Sequence, residues 1–216
     1  MSGRQSNVLL SKDRSLLLGQ SIAERSKVSG NRELVVLVHG MGRTSLSMVP
    51  LKRYLQQSGY EVLNFGYFSF GLTVRKISEK LSVAVAQKMS EETFEKVHFV
   101  GHSLGAIAIR HMLSVNAPKQ IGRVVMLAPP NQGSTRADSV VKWLTWLYRP
   151  LPELTTNRSS TVRLLPEVPA VQVGIVAGSR DSTVRLEQTR LNSLSLIHIS
   201  EPTRRTPISY AVFCLK

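Results

Sequence analysis

Cysteine is almost absent from this sequence, and so are long apolar runs. Cys214 is the only cysteine among 216 residues, which excludes an intramolecular disulfide. No uninterrupted apolar stretch approaches the roughly 18 residues that a membrane-spanning helix requires. Near the N-terminus, apolar residues 8–10 and 16–18 are short and separated by charged residues, unlike the apolar centre of a signal peptide. We therefore expect a cytoplasmic protein, with export or membrane association as the alternative if the N-terminus is incomplete. The length suits one domain with a full core.

Acidic residues are also scarce, with 14 Asp and Glu against 28 Lys and Arg, which gives a formal net charge of +14. The basic residues are scattered, and the densest spots are pairs such as Arg204-Arg205. This pattern favours a solvated basic surface, with attraction to an anionic membrane surface as the alternative. No nucleic-acid-binding motif is present, so no nucleic-acid partner is expected. No group of side chains has the spacing of metal ligands, so we predict neither a metal nor a cofactor.

The C-terminal residues 194–216 resemble translated sequencing-adapter DNA. Residues 194–204 match the translation of a transposon adapter used to prepare libraries, and residues 208–216 match the flow-cell adapter that would follow it. We interpret the segment as a non-native tail, with a genuine C-terminal strand and turn as the alternative. The natural segment would then end near Ser193, without cysteine and without its C-terminal part. The tail holds three basic residues and one acidic residue, so the formal net charge without it would be +12.

Strand-like and helix-like segments alternate through most of the chain. Short apolar runs without alternation indicate strands that are buried on both faces. The strands are expected at residues 33–38, 60–65, 97–100, 124–128 and 171–177, and helices at 47–57, 73–89 and 106–115. This order predicts an α/β fold with a mostly parallel sheet and helices on both faces. The domain is expected to span residues 32–193, after a polar leader at residues 1–31.

Gly101-His102-Ser103-Leu104-Gly105 has the pattern Gly-x-Ser-x-Gly. It follows a predicted strand and precedes a predicted helix, which is the setting in which this pattern makes a nucleophile elbow. In such a turn the serine is held in strained geometry with its hydroxyl exposed, and the glycines let strand and helix pass closely. We therefore predict that Ser103 is a nucleophile, with a plain glycine-rich turn as the alternative.

A nucleophilic serine requires donors for an oxyanion and a base that removes its proton. His39-Gly40-Met41-Gly42 directly follows the first predicted strand. The backbone N–H groups of Met41 and Leu104 are the predicted oxyanion hole, since both lie at strand ends facing one crevice. His39 and Gly40 are interpreted as residues that shape the turn.

A carboxylate is also needed to orient the base. Asp181 follows the last predicted strand and lies at the sheet edge expected for Ser103, so it is the main candidate. Asp138 is its rival. For Asp181 itself, a role in a turn or helix cap is the alternative.

Together these segments resemble an α/β-hydrolase of the bacterial lipase and esterase type, also called triacylglycerol-lipase-like. The resemblance covers roughly residues 33–190. It is carried by residues 38–42, 101–105, 128–134 and 177–181. It implies hydrolysis of carboxylic esters, with acyl lipids as the expected substrates, through an acyl-enzyme on Ser103 and a triad in the order Ser, Asp, His. An acyltransferase or thioesterase on the same fold is one alternative, and a non-catalytic basic membrane-binding module is another.

The resemblance also exposes a missing histidine, because the family places its catalytic histidine after the aspartate. The only histidine beyond Asp181 is His198, which lies in the adapter-like tail. His111 lies about 12 Å along the following helix, His98 lies within a strand, and His102 faces away from the serine in such an elbow. We therefore assign no catalytic histidine and expect the chain as given to be nearly inactive.

Residues 132–169 interrupt the alternation of strands and helices. They contain Trp143 and Trp146 close to Lys142 and Arg149, followed by a proline-rich stretch. Aromatic side chains flanked by cations suit a lid that covers an acyl pocket or touches a lipid surface. The segment is therefore a predicted lid or cap insertion, with ordinary core packing of the tryptophans as the alternative.

Overall fold

A sheet of six parallel strands forms the centre of the computed structural model, which describes residues 32–144, 149–166, 171–178, 186–191 and 196–201. The strands are β1 (Glu33–Val38), β2 (Glu61–Phe65), β3 (Lys96–His102), β4 (Ile121–Leu127), β5 (Val173–Gly178) and β6 (Leu196–Glu201). Their order across the sheet is β2-β1-β3-β4-β5-β6, and each neighbouring pair is parallel. The predicted parallel sheet is confirmed.

Helices connect the strands. They are α1 (Val49–Gln57), α2 (Val74–Glu91), α3 (Leu104–Asn116), α4 (Thr135–Leu144) and α5 (Thr161–Leu164). Short 3-10 helices occur at Ser45–Met48, Pro152–Leu154 and Leu186–Thr189. The three predicted helices correspond to α1, α2 and α3. Among the helices in the described ranges, none combines the length and the apolar character needed to cross a bilayer.

Strand β1 shows why the apolar runs become central strands. Residues 34–38 are all fully buried. Leu34, Val36 and Val38 belong to one core cluster with residues of α2 and α3, whereas Val35 and Leu37 belong to a second cluster with residues of α1. Because successive side chains of a strand point to opposite faces, an unbroken apolar run can fill both layers. Each such side chain contributes about 1.5–3 kcal/mol when it is fully buried.

The direction of the crossovers changes beside β1. The chain moves outward from β1 to β2, and then returns to β3 on the other side of β1. In open parallel sheets this reversal opens a crevice at the carboxyl ends of the two strands where it occurs. Val38 of β1 pairs with Gly101 of β3. The turn after β1 and the serine after β3 therefore lie at the same edge and at the same level.

The adapter-like tail contributes a strand to the fold. Leu196–Glu201 forms β6, which pairs in parallel with β5. The sequence interpretation left this segment out of the domain and kept a C-terminal strand and turn as the alternative. Its apolar and β-branched residues favour a strand, and the edge of β5 offers unpaired N–H and C=O groups. The non-native origin of the tail stays a prediction, because strand pairing depends on residue type and not on the source of the coding sequence.

Backbone hydrogen bonding joins two parts of the predicted lid segment, residues 132–169. The N–H of Ser134 donates to the carbonyl oxygen of Leu154 at 2.8 Å. Glycine is needed at Gly133, which has a φ of +85° and where a Cβ would collide with the backbone of Thr155. Trp143 lies on α4, of which only the backbone is described at this position, and Trp146 lies outside the described residues. A lid function stays a prediction.

Candidate active site

Ser103 lies in a sharp turn between β3 and α3. Its backbone has φ 50° and ψ −118°, a conformation that is unfavourable for a residue with a Cβ. Its N–H donates to the carbonyl oxygen of Leu127 at 2.9 Å, and its own carbonyl oxygen accepts from the N–H of Ala106 at 3.0 Å. These bonds tie the turn to the neighbouring strand and to the first turn of the helix. This strained turn between a strand and a helix has the form expected of a nucleophile elbow, and the nucleophilic role of Ser103 stays a prediction.

The two glycines of the motif are required by close backbone packing. A Cβ on Gly101 would lie 2.5 Å from Cα of Ala106. A Cβ on Gly105 would lie 2.5 Å from the carbonyl oxygen of His39 and would also meet the carbonyl of Val38. The helix can therefore start directly against β1 and β3 only because both side chains are absent.

The turn after β1 lies against the elbow. A Cβ on Gly40 would lie 2.5 Å from Nδ1 of His102, so glycine permits this approach. Met41 is half-buried. Leu104 is the first residue of α3, and the first N–H groups of a helix have no partner within it. The two predicted oxyanion donors thus lie on adjacent segments at the crevice edge, and their role stays a prediction.

His39 is buried and has partners within the turn region. Its ring stacks on Tyr67 with centroids 4.2 Å apart. The N–H of Tyr67 donates to Nε2 at 3.3 Å, and Nδ1 lies 2.9 Å from the carbonyl oxygen of Gly40. Since Nε2 accepts a hydrogen bond, Nδ1 is the ring nitrogen that donates to the Gly40 carbonyl oxygen. This geometry agrees with the expected turn-shaping role of His39.

The loop between β2 and α2 braces the same turn, which the sequence reasoning missed. The hydroxyl of Tyr67 donates to the carbonyl oxygen of His39 at 2.8 Å. Burial raises the pKa of Tyr67, so the phenol keeps its proton and remains a donor. The buried Ser69 Oγ accepts from the N–H of Gly42 at 3.0 Å. The cluster of aromatic residues after the second predicted strand was the only available sequence signal.

Of the two candidate carboxylates, the structure describes Asp138 but not Asp181. Asp138 accepts from the N–H of Thr156 at 2.9 Å and from the Thr156 hydroxyl at 2.7 Å. Both carboxylate oxygens of Asp138 therefore accept hydrogen bonds that stabilise the segment after β4. Asp181 lies outside the described residues, although β5, which precedes it, ends at Gly178 as required.

Three of the described histidines have ring partners away from Ser103. His39 is bound in its turn, as described above. His98 Nδ1 accepts from the N–H of Arg123 at 2.9 Å, and its Nε2 lies 3.4 Å from Glu33. His111 Nδ1 lies 2.8 Å from the hydroxyl of Ser78. Burial lowers the pKa of both His98 and His111, so both are neutral near pH 7.

The position of His198 follows from the strand register. It pairs with Ile175, which pairs with Met126, which pairs with Gly101. Three strand spacings of about 4.8 Å place its backbone about 14 Å from β3. A general base must come within about 3 Å of the hydroxyl, and serine and histidine side chains together are too short for this separation. The register therefore places the backbone of His198 too far from β3 for a catalytic base.

No metal site is evident in the part of the chain that the structure describes. There, no group of three or more His, Cys, Asp or Glu side chains is placed to hold an ion.

Comparisons with known proteins identify a hydrolase family. Residues 29–175, about two thirds of the chain, match the family model Hydrolase_4, described as serine aminopeptidase, S33. No curated protein matches the sequence.

Solved structures of bacterial hydrolases share the fold. The mature lipase BlEst2 of Bacillus licheniformis has a TM-score of 0.68 at 17% identity, covering 86% of this chain and 91% of that one. The esterase EaEST of Exiguobacterium antarcticum has a TM-score of 0.59 at 12% identity, covering 86% and 90%. Phospholipase PlaB of Legionella pneumophila has a TM-score of 0.63 at 20% identity, covering 73% of this chain but only 44% of PlaB. The predicted α/β-hydrolase fold is confirmed.

Proposed function

The chain belongs to the Hydrolase_4 family (serine aminopeptidase, S33), and from this premise we propose that it cleaves carboxylic esters, with acyl lipids as substrates. The observation that carries the proposal is the strained backbone of Ser103 at the start of α3. Such strain persists where the surrounding structure holds it, and it concentrates at functional sites. The strained residue, Ser103, follows β3 at the edge of the sheet where the crossovers diverge.

The proposed reaction follows from the groups at this edge. Ser103 Oγ attacks the ester carbonyl carbon while a base accepts its proton. The N–H groups of Met41 and Leu104 stabilise the negative charge that forms on the carbonyl oxygen. The leaving alkoxide then takes the proton from the base, which leaves an acyl group on Ser103. Water, deprotonated by the same base, cleaves this acyl-enzyme and returns the hydroxyl. Asp181 is the proposed carboxylate that orients the base.

The missing base determines how the chain as given should behave. Because His198 is about 14 Å from β3 in the sheet, we propose that this chain turns over esters very slowly. Loss of one triad member typically leaves only a small part of the catalysed rate. Free imidazole can supply from solution the base that the absent side chain would provide.

Imidazole-dependent hydrolysis tests the proposal. p-Nitrophenyl butyrate and alanine p-nitroanilide would be offered to the chain at increasing imidazole concentration. We expect saturable release of nitrophenol at least about 10-fold above the Ser103→Ala rate, with much slower cleavage of the anilide. The Ser103→Ala variant corrects for direct catalysis by imidazole, and the matched control Ser90→Ala, at an exposed hydroxyl on α2, should behave as the parent chain. Equal rates with and without Ser103 would refute the proposal, and a preference for the anilide would point to a peptidase.

A further inference from the structure

An apolar cleft lies beside the crevice, in the loop between β2 and α2. The cavity has a volume of about 490 Å³. We call it the aromatic cleft, and it is lined by Phe65, Tyr67, Phe68, Phe70, Leu72 and Lys80. Its size falls within the range of about 300–1,000 Å³ that is usual for small-molecule sites.

Two rings of the aromatic cleft are placed for contact with a ligand. Phe68 is 71% exposed, and its ring centroid lies 4.8 Å from that of Phe70. A single exposed phenylalanine is ordinary, but adjoining aromatic side chains that line a cavity indicate a binding surface. The loop is anchored on both sides, by Tyr67 at His39 and by Ser69 at Gly42. The cleft is therefore built on a fixed support.

The aromatic cleft lies close to Ser103. Val38 pairs with Phe65 on one side and with Gly101 on the other, so the loop begins at the level of the elbow, about 10 Å across the sheet. The hydroxyl of Tyr67 binds the carbonyl oxygen of His39. That same oxygen would lie 2.5 Å from a Cβ on Gly105. Tyr67, in the wall of the cleft, is thus hydrogen-bonded to the residue that packs directly against Gly105 of the elbow.

We propose that the aromatic cleft binds the acyl chain of the ester whose carbonyl group Ser103 attacks. The lining favours a hydrocarbon chain because five of the six side chains that define the cleft are apolar or aromatic. Lys80 contributes a long aliphatic stem, and its ammonium group remains near water. The inference rests on the proposed function for its link to catalysis, but the binding itself requires no chemistry at Ser103.

Equilibrium binding of a fluorescent fatty acid tests this inference without turnover. The probe is 11-(dansylamino)undecanoic acid, used at 0.5 M NaCl so that salt screens the basic surface. We expect the double variant Phe68→Ala, Phe70→Ala to raise the Kd of the probe at least 10-fold. Tyr54→Ala removes a 44%-exposed aromatic side chain on α1 and should leave the Kd within twofold. Unlabelled fatty acids should displace the probe more strongly as they lengthen, by up to about fourfold per buried methylene.

The controls separate this inference from the proposed function. Ser103→Ala should bind the probe like the parent chain, so probe binding with no Ser103 chemistry would remove the proposed function and leave the cleft. Because Phe68 is exposed, Phe68→Ala alone is expected to keep the thermal unfolding curve of the parent and still to weaken binding. An unchanged Kd in the variants, or no probe binding by the parent chain, would overturn the inference. Loss of binding to phosphatidylcholine vesicles with an unchanged probe Kd would assign the rings to a lipid surface and also overturn it.

Discussion

At the scale of single residues, the absence of side chains beside Ser103 is as important as its hydroxyl. Gly40, Gly101 and Gly105 each occupy a place where a Cβ would collide with the turn, the strand or the helix of the site. None of the three has a positive φ, since the described positive-φ glycines are Gly42, Gly59, Gly71 and Gly133. The requirement for glycine in the elbow is therefore steric and not conformational.

Gly105→Ala should be more destabilising than Gly59→Ala, in which alanine replaces a glycine with positive φ. Gly59 has φ +91° with no heavy atom within 4 Å of an added Cβ, so Gly59→Ala should cost about 1–2 kcal/mol from backbone strain alone. Gly105→Ala forces β1 and α3 apart and should cost about 3 kcal/mol. Urea unfolding of both variants measures the difference. Equal losses would contradict the steric explanation.

Tyr67 should influence the site through the turn that carries Met41. Tyr67→Phe keeps the ring that stacks on His39 but removes the hydrogen bond to the His39 carbonyl oxygen. We expect a loss of about 1 kcal/mol in the free energy of unfolding, together with a lower imidazole-supported kcat and little change in KM. Tyr60→Phe is a matched control away from the turn. A change in stability alone, with kcat unaffected, would show that Tyr67 does not position the turn.

At the scale of elements, the strand register predicts that His198 is not the base. His198→Ala should leave the slow ester hydrolysis of the chain within twofold of the parent, because β6 is three strands away from β3. Initial rates with p-nitrophenyl butyrate, without imidazole, provide the measurement. A fall of 100-fold or more would make His198 the catalytic base and would make the tail part of the enzyme.

Most elements of the fold could be predicted from the sequence, because apolar runs and helical periodicity are local signals. The boundaries differed by a few residues. For example, residues 45–48 form a 3-10 helix before α1, whose start is favoured by Pro50. The strand β6 corresponds to the alternative interpretation of the tail, which the main interpretation left out of the domain. Thr73 marks the start of α2 by accepting from the N–H of Lys76, and here the local signal was sufficient.

The site was predictable only where its parts lie within one motif. The Gly-x-Ser-x-Gly and His-Gly-Met-Gly segments are short, and the residues within each are enough to predict the turn that it forms. The contacts of Tyr67 and Ser69 with the turn join residues 27 or 28 positions apart, so they depend on the packed sheet. In the same way, only the structure shows that Asp138 is bound to Thr156, 18 residues away.

At the scale of the whole molecule, the buried His98 and the half-buried His111 should make stability depend on pH. Burial lowers the pKa of His98 and His111 below the ordinary value of 6.5. The unfolded chain therefore binds protons at a higher pH than the folded chain, and stability present above pH 6.5 is lost as the pH falls below it. We expect Tm to decrease by at least about 2–4 °C between pH 7.5 and 5.5.

A His111 variant separates this contribution from those of other groups. Asparagine can place an amide donor near Ser78 Oγ, as Nδ1 does now, but it does not titrate, so His111→Asn should reduce the fall in Tm. Burial raises the pKa of Glu153, which acts in the opposite direction at lower pH, and comparing the two proteins at each pH cancels its contribution. An identical fall in Tm for both proteins would contradict a role of His111.

The most direct measurement of the central claim is where a fluorophosphonate reacts with the folded chain. Phosphonylation is permanent, so even a slow reaction accumulates over hours and can be located by peptide mass spectrometry. We predict that the peptide containing Ser103 carries the label well in excess of every other serine-containing peptide, and that Ser103→Ala removes it. Label on another serine, label spread evenly, or an unlabelled Ser103 in a folded chain would contradict the account.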